Sequence, residues 1–200
     1  MITILLDSSN TSLSVGIAKD GKLLDYISYE AWQRQSEYML PELKKILVRN
    51  NVNKTDISDV VVAIGPGSYT GVRIAITIAK VMATALNIPI YGVSSLRVQK
   101  DDNEPTISLI NARGGRSYFG VYQGNEIIVE DCIKTNEEVL AYINEHPTYS
   151  VSGDTRYLAL ESVMFNTLQQ MLNLKDSLTE ANPLTIKPVY MKENYAKPVY

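Results

Sequence analysis

Two short stretches carry the residues best suited to chemistry. In Asp7-Ser8-Ser9-Asn10-Thr11 a carboxylate ends an apolar run and is followed by residues rich in hydroxyls and backbone amides. Such a turn can hold a phosphate through its N–H groups, with Asp7 facing a hydrated magnesium ion. By itself, this stretch favours the plainer outcome of an Asp/Ser turn that reverses a hairpin. The second stretch, Gly65-Pro66-Gly67-Ser68-Tyr69-Thr70-Gly71, joins an apolar run to a helical one, and its glycines permit backbone geometry that a side chain would block. Ser68 or Thr70 can cap the helix, whose N-terminus attracts anions, and Arg73 adds positive charge. The candidate nucleotide or phosphate loops are therefore Asp7, Ser8, Ser9 and Thr11 together with Gly65, Gly67, Ser68, Thr70, Gly71 and Arg73.

Neither stretch matches a standard nucleotide fingerprint. A P-loop needs Lys after its last glycine, and neither Gly67 nor Gly71 has one. A dinucleotide loop needs a third glycine where Thr70 stands and an acid about 20 residues on. Residues 60–100 contain no Asp or Glu, so this segment supplies no general base. Other nucleophiles fare poorly. Asp131 beside Cys132 discourages a thiolate, no Gly-x-Ser-x-Gly elbow occurs, and Gly114-Gly115 between Arg113 and Arg116 is first of all a turn. One cysteine and one histidine, His146, are too few for the commoner zinc sites, so no metal site is expected.

The formal charge of −3 gives no global pull toward nucleic acid or an anionic membrane. It divides unevenly: residues 1–100 carry 11 basic and 8 acidic side chains, and residues 101–200 carry 8 and 14. A lone cysteine and an N-terminal apolar run cut short by Asp7 point to the cytoplasm. The longest apolar stretch, Val72 to Leu86, contains Arg73 and Lys80 and falls short of the roughly 18 residues of a membrane span.

The elements that position these loops can be read from periodicity. Ile2–Leu6, Leu13–Ile17 and Leu23–Glu30 form an antiparallel meander. Ser36 is expected to cap a helix whose face carries Met39, Leu43, Ile46 and Leu47, with Pro41 confined to its first turn. Val60–Ile64 lacks alternation, as in a strand buried on both faces. Val72–Leu86 reads as a helix apolar nearly all round, with Ala75, Ala79 and Ala83 at spacing four, a surface that admits a second helix closely. After the breaker Asp101–Pro105, three strand-like runs (Thr106–Ile110, Ser117–Tyr122, Ile127–Ile133), a helix (Asn136–Asn144), a strand (Tyr149–Ser152) and a helix over Leu158–Leu174 repeat the plan of the first half. The tail, with Pro183, Pro188 and Pro198 among Tyr190, Tyr195 and Tyr200, is expected to be extended and to wrap a surface. The expected fold is α/β, two subdomains with mixed sheets flanked by helices, residues 1–100 and 101–200, an arrangement that resembles the actin-like (ribonuclease H-like) architecture.

Ile4-Leu5-Leu6-Asp7-Ser8-Ser9, Gln35-Ser36-Glu37 before Pro41, the run from Gly65 to Ala75, Asn111-Ala112-Arg113 and Pro188-Val189-Tyr190-Met191 resemble, in order, the landmarks of the TsaB (YeaZ) family. The resemblance implies a non-catalytic subunit of the bacterial machinery that makes threonylcarbamoyladenosine in tRNA, an inactive relative of TsaD that binds TsaD as a heterodimer, with the ATPase TsaE joining. TsaD would transfer the threonylcarbamoyl group from its adenylate to N6 of the adenosine beside the anticodon, in tRNAs reading codons that begin with A. It also implies a homodimer when TsaD is absent, contact with tRNA through the complex, and no membrane partner.

The resemblance implies no cofactor of the chain's own, with weak ATP or ADP and magnesium at most at the complex boundary. The two N-terminal helices would form the interface, so Met39, Leu43, Leu47, Ala75, Ala79, Met82 and Ala83 are the expected partner contacts, although each alone reads more simply as core. This chain has Gln35 where family members often carry histidine and Asn111 where they usually carry Asp. Arg34–Leu43 lacks the histidine pair with which TsaD binds metal. The alternative reading, resting on Asp7 and the two loops, is an ATP-binding or ATP-hydrolysing actin-like enzyme.

Overall fold

The computed structural model describes residues 1–31 and 33–191. Strands β1 (Ile2–Asp7), β2 (Ser12–Lys19) and β3 (Lys22–Glu30) form the expected meander, followed by α1 (Gln35–Arg49), β4 (Ile57–Ala63), α2 (Tyr69–Leu86) and β5 (Ile90–Val93). They assemble, with β10 (Glu180–Ala181), into a six-stranded sheet of order β10-β5-β4-β1-β2-β3, in which β1, β4 and β5 are parallel. The unbroken apolar run in β4 follows from this central place. Val60 and Val62 point into one core with Ile4, Leu6, α1 and α2, while Val61 and Ala63 point into another with Leu5 on the opposite face. The strand β5 escapes sequence reading because only four residues separate Pro89 from the next turn.

The second sheet has the order β8-β7-β6-β9, from β6 (Thr106–Arg113), β7 (Arg116–Gln123), β8 (Glu126–Thr135) and β9 (Ser150–Gly153). An antiparallel meander with β9 parallel to β6 reproduces the β3-β2-β1-β4 plan of the first sheet. The architectural repeat expected from the sequence is therefore present. Helix α3 (Asn136–Glu145) covers it, begun by a capping box in which Thr135 and Glu138 satisfy each other's backbone N–H.

Four expectations need correction. Helix α1 starts at Gln35, because the amides of Glu37 and Tyr38 close onto the Arg34 carbonyl, and Ser36 is not its cap. Pro41 lies inside that helix; its ring and Glu37 both face solvent, so the hydrogen bond it removes leaves a carbonyl that water can reach. At 18 residues α2 is long and apolar enough, by length and composition, to cross a bilayer. Core helices pass the same test, and α2 buries Val72, Ala75, Ile76, Ala79 and Ala83 in the first core. Leu158–Leu174 is not one helix: Asn166 caps a short α4 (Thr167–Leu174) by accepting from the amides of Leu168 and Gln169.

That helix also redraws the expected division at residue 100. Leu168, Met171 and Leu174 of α4 close the second face of the first sheet over Leu5, Val61 and Val98, each burial contributing about 2 kcal/mol. The chain thus returns to its first half instead of ending within the second. Beyond β10 the tail is not extended at first: Thr185 and Ile186 donate their amides to the Asn182 carbonyl in a turn, after which the chain runs along α2 as far as Met191. Pro198, Tyr195 and Tyr200 lie outside the described residues.

Candidate functional site

The two loops singled out by their chemistry meet. The Ser68 amide donates to the Ser9 carbonyl at 2.7 Å, and the Ser8 hydroxyl donates to the Gly71 carbonyl at 2.7 Å. The glycines permit this approach: a Cβ on Gly67 would lie 2.1 Å from the Ser9 carbonyl oxygen, and one on Gly71 only 1.8 Å from that of Ser8. Ser68 caps α2 by accepting from the Gly71 amide, and Gly65 donates its own amide to the Ser95 hydroxyl.

Asp7 sits beneath this junction, 8% exposed, and accepts the Ser9 amide at 2.8 Å. Burial pushes its carboxyl above the usual range, against hydrogen bonds from Ser9 and from Thr167 of α4. The Asp/Ser turn is therefore the observed form of this stretch. The buried Asp7 carboxylate, with the Ser9, Ser68 and Gly71 amides already engaged within the protein, does not fit magnesium and phosphate at this junction.

Between the two sheets opens a cleft of about 640 Å³. Ser9, Thr11, Gly67, Ser68 and Thr70 line it from the first half, with Asn111, Arg113 and Asp154 from the second. Asp7, Ser8, Gly65, Gly71 and Arg73 lie outside that lining. The wall is largely hydroxyl and amide. Among the described residues Asp154 is its one carboxylate, and no hydrogen bond links it to a lining Ser or Thr. Such a wall can hold a polar group, but no hydroxyl in it is paired with a base.

Arg73 belongs to a different feature, a groove of about 440 Å³ between α1 and α2 lined by Leu40, Tyr69, Arg73, Ile74 and Ile78 among others. Its guanidinium lies 5.0 Å from the Tyr69 ring centroid and donates to the Tyr69 hydroxyl. Leu40 is 53% and Tyr69 60% exposed. The expected interface residues are elsewhere. Met39, Leu43, Ala75, Ala79 and Ala83 are buried in the core of the first sheet, and Leu47 and Met82 pack half-buried against it. The alanine stripe therefore packs the helix onto its own sheet, as each of these residues alone was expected to do. Leu40 could have been found from the sequence, as an apolar residue off the Met39–Leu43–Ile46 face. Tyr69 carried no such signal.

The family model for TsaD, tRNA N6-adenosine threonylcarbamoyltransferase, matches residues 29–184. The tRNA threonylcarbamoyladenosine biosynthesis protein TsaB of Bacillus subtilis (strain 168) is 34% identical over 146 residues, 70% of this chain and 63% of that protein, so the match spans less than two thirds of that relative's length. TsaB of Buchnera aphidicola subsp. Schizaphis graminum is 31% identical over 150 residues, 72% of this chain and 70% of its own. YeaZ from Pseudomonas aeruginosa has the same fold, with a TM-score of 0.80 over 95% of this chain and 99% of that one at 22% identity. With the TsaD model matching residues 29–184 and a TsaB relative 31% identical over more than two thirds of both chains, the chain belongs to the TsaB (YeaZ) family of TsaD-related proteins.

Proposed function

We propose that this chain serves tRNA threonylcarbamoyladenosine biosynthesis as a non-catalytic subunit that binds and activates a TsaD-type transferase. The observation that carries the reading is the exposed apolar groove between α1 and α2, within the region that matches the TsaD model. A partner built on the same two helices can pair with them about a pseudo-twofold axis, and a second copy of this chain can do so when that partner is absent. The contact rests on Leu40, Tyr69, Ile74 and Ile78 in place of the alanine stripe. The chain works in the cytoplasm, needs no cofactor of its own, and meets TsaE, tRNA and any ATP or ADP with magnesium only through the complex. The rival reading, an ATP-hydrolysing enzyme, loses support from the buried position of Asp7 and the mutual pairing of the two loops.

Leu40→Asp tests the interface. The side chain is more than half exposed, so the variant should fold and melt as the wild type does. A charge set into an apolar contact should weaken association with TsaD at least tenfold, about 1.4 kcal/mol, by titration calorimetry. Wild-type affinity in the folded variant would place the interface elsewhere.

A further inference from the structure

The tail landmark Pro188–Met191 has no part in the reading above, yet it lies directly on the glycine loop. Lys80 of α2 donates to the carbonyls of Leu184 and Ile186 at 3.1 and 3.2 Å, and Ile186 packs against the first core. The Val189 amide then donates to the Ile64 carbonyl at 2.7 Å, at the end of β4. The Val189 carbonyl runs 3.0 Å from where a Cβ on Gly65 would stand. Tyr190 finally stacks on Tyr69, ring centroids 5.3 Å apart and planes 24° from parallel. The glycine loop is thus held between the Ser8–Ser9 turn on one side and the tail on the other.

We infer that Tyr190 is a positioning residue for the partner surface: by stacking on Tyr69 it fixes, before association, the aromatic side chain at the mouth of the α1–α2 groove. The inference rests on that groove being the docking face. Tyr69 stands at the first turn of α2, exposed, with the Arg73 guanidinium against its ring. Without Tyr190, and with Arg73, itself a long exposed side chain, as its ring neighbour, the exposed Tyr69 samples more rotamers, and a partner must then order it. A ring already stacked has little of that freedom left to lose, and the saving appears as affinity. The stack also ties recognition to the tail, which reaches this point only because Lys80 and Ile64 hold its backbone.

The test is calorimetric titration of TsaD with Tyr190→Ala, Tyr190→Phe, Tyr69→Ala and the Tyr190→Ala/Tyr69→Ala pair, each with a thermal melt. Tyr190→Ala should weaken association about fivefold with an unchanged melting temperature. Tyr190→Phe, which keeps the ring and drops the hydroxyl, should restore it. In the Tyr69→Ala background Tyr190→Ala should add nothing, because its effect passes through Tyr69. Unchanged affinity in Tyr190→Ala overturns the inference, and so does a loss that persists in full without Tyr69, which would make Tyr190 a direct contact. If Leu40→Asp also binds as wild type, the groove reading itself has failed. If Leu40→Asp weakens binding and Tyr190→Ala does not, only the positioning role is lost.

Discussion

Gly71→Ala is expected to destabilise the fold by about 2 kcal/mol or more. Inside a helix, alanine in place of glycine ordinarily gains about 1 kcal/mol. Here the new methyl would meet the Ser8 carbonyl oxygen at 1.8 Å. That oxygen is backbone at the end of β1 and cannot swing aside as a side chain does, so either the turn or α2 must move. Overpacking of this kind costs ~3 kcal/mol and decides the sign. For a chain of this length the melting temperature should fall by roughly 4–8 °C. Gly67→Ala, aimed at the Ser9 carbonyl, should behave alike. Wild-type melting of both variants would mean that the two loops are not in contact.

Ala79→Glu should have the larger effect, and on stability before binding. Ala79 is fully buried, among Ile4, Val60, Val62 and Ile76. A carboxylate there has no cation to pair with and costs several kcal/mol, even after the group takes up a proton. The variant should lose its cooperative thermal transition or express unfolded. Val81→Glu, two residues along the same helix and 63% exposed, should stay within about 0.5 kcal/mol of wild type. A folded Ala79→Glu defective only in partner binding would restore the stripe to the interface.

Ala79 shows where sequence reasoning stops. A helix apolar nearly all round announces two covered faces without saying which covering is its own sheet. Small residues at spacing four promise close approach whether the neighbour is a strand or another chain. Around this ambiguity much was legible. The meander of β1 to β3, the unalternating β4 and the second meander after Pro105 each follow from a period of two or its absence. The loop glycines do stand where a side chain would be blocked, at Gly67 by the Ser9 carbonyl and at Gly71 by that of Ser8.

The return of α4 to the first sheet was hidden, because Leu168, Met171 and Leu174 show an apolar face without saying which sheet lacks a cover. Pro41 misled for a related reason. A helix held by the burial of Met39, Leu43 and Ile46 tolerates one missing hydrogen bond on its wet side.

In the proposed role this chain holds a transferase and does not itself catalyse transfer. Threonylcarbamoyl transfer to N6 of tRNA adenosine, measured with the chain alone, with TsaD alone and with both mixed, tests it most directly. No transfer is expected from the isolated chain, and the mixture should show a marked rise over TsaD alone, a rise that Leu40→Asp diminishes. Transfer by the isolated chain, or a mixture no faster than TsaD alone, would contradict it.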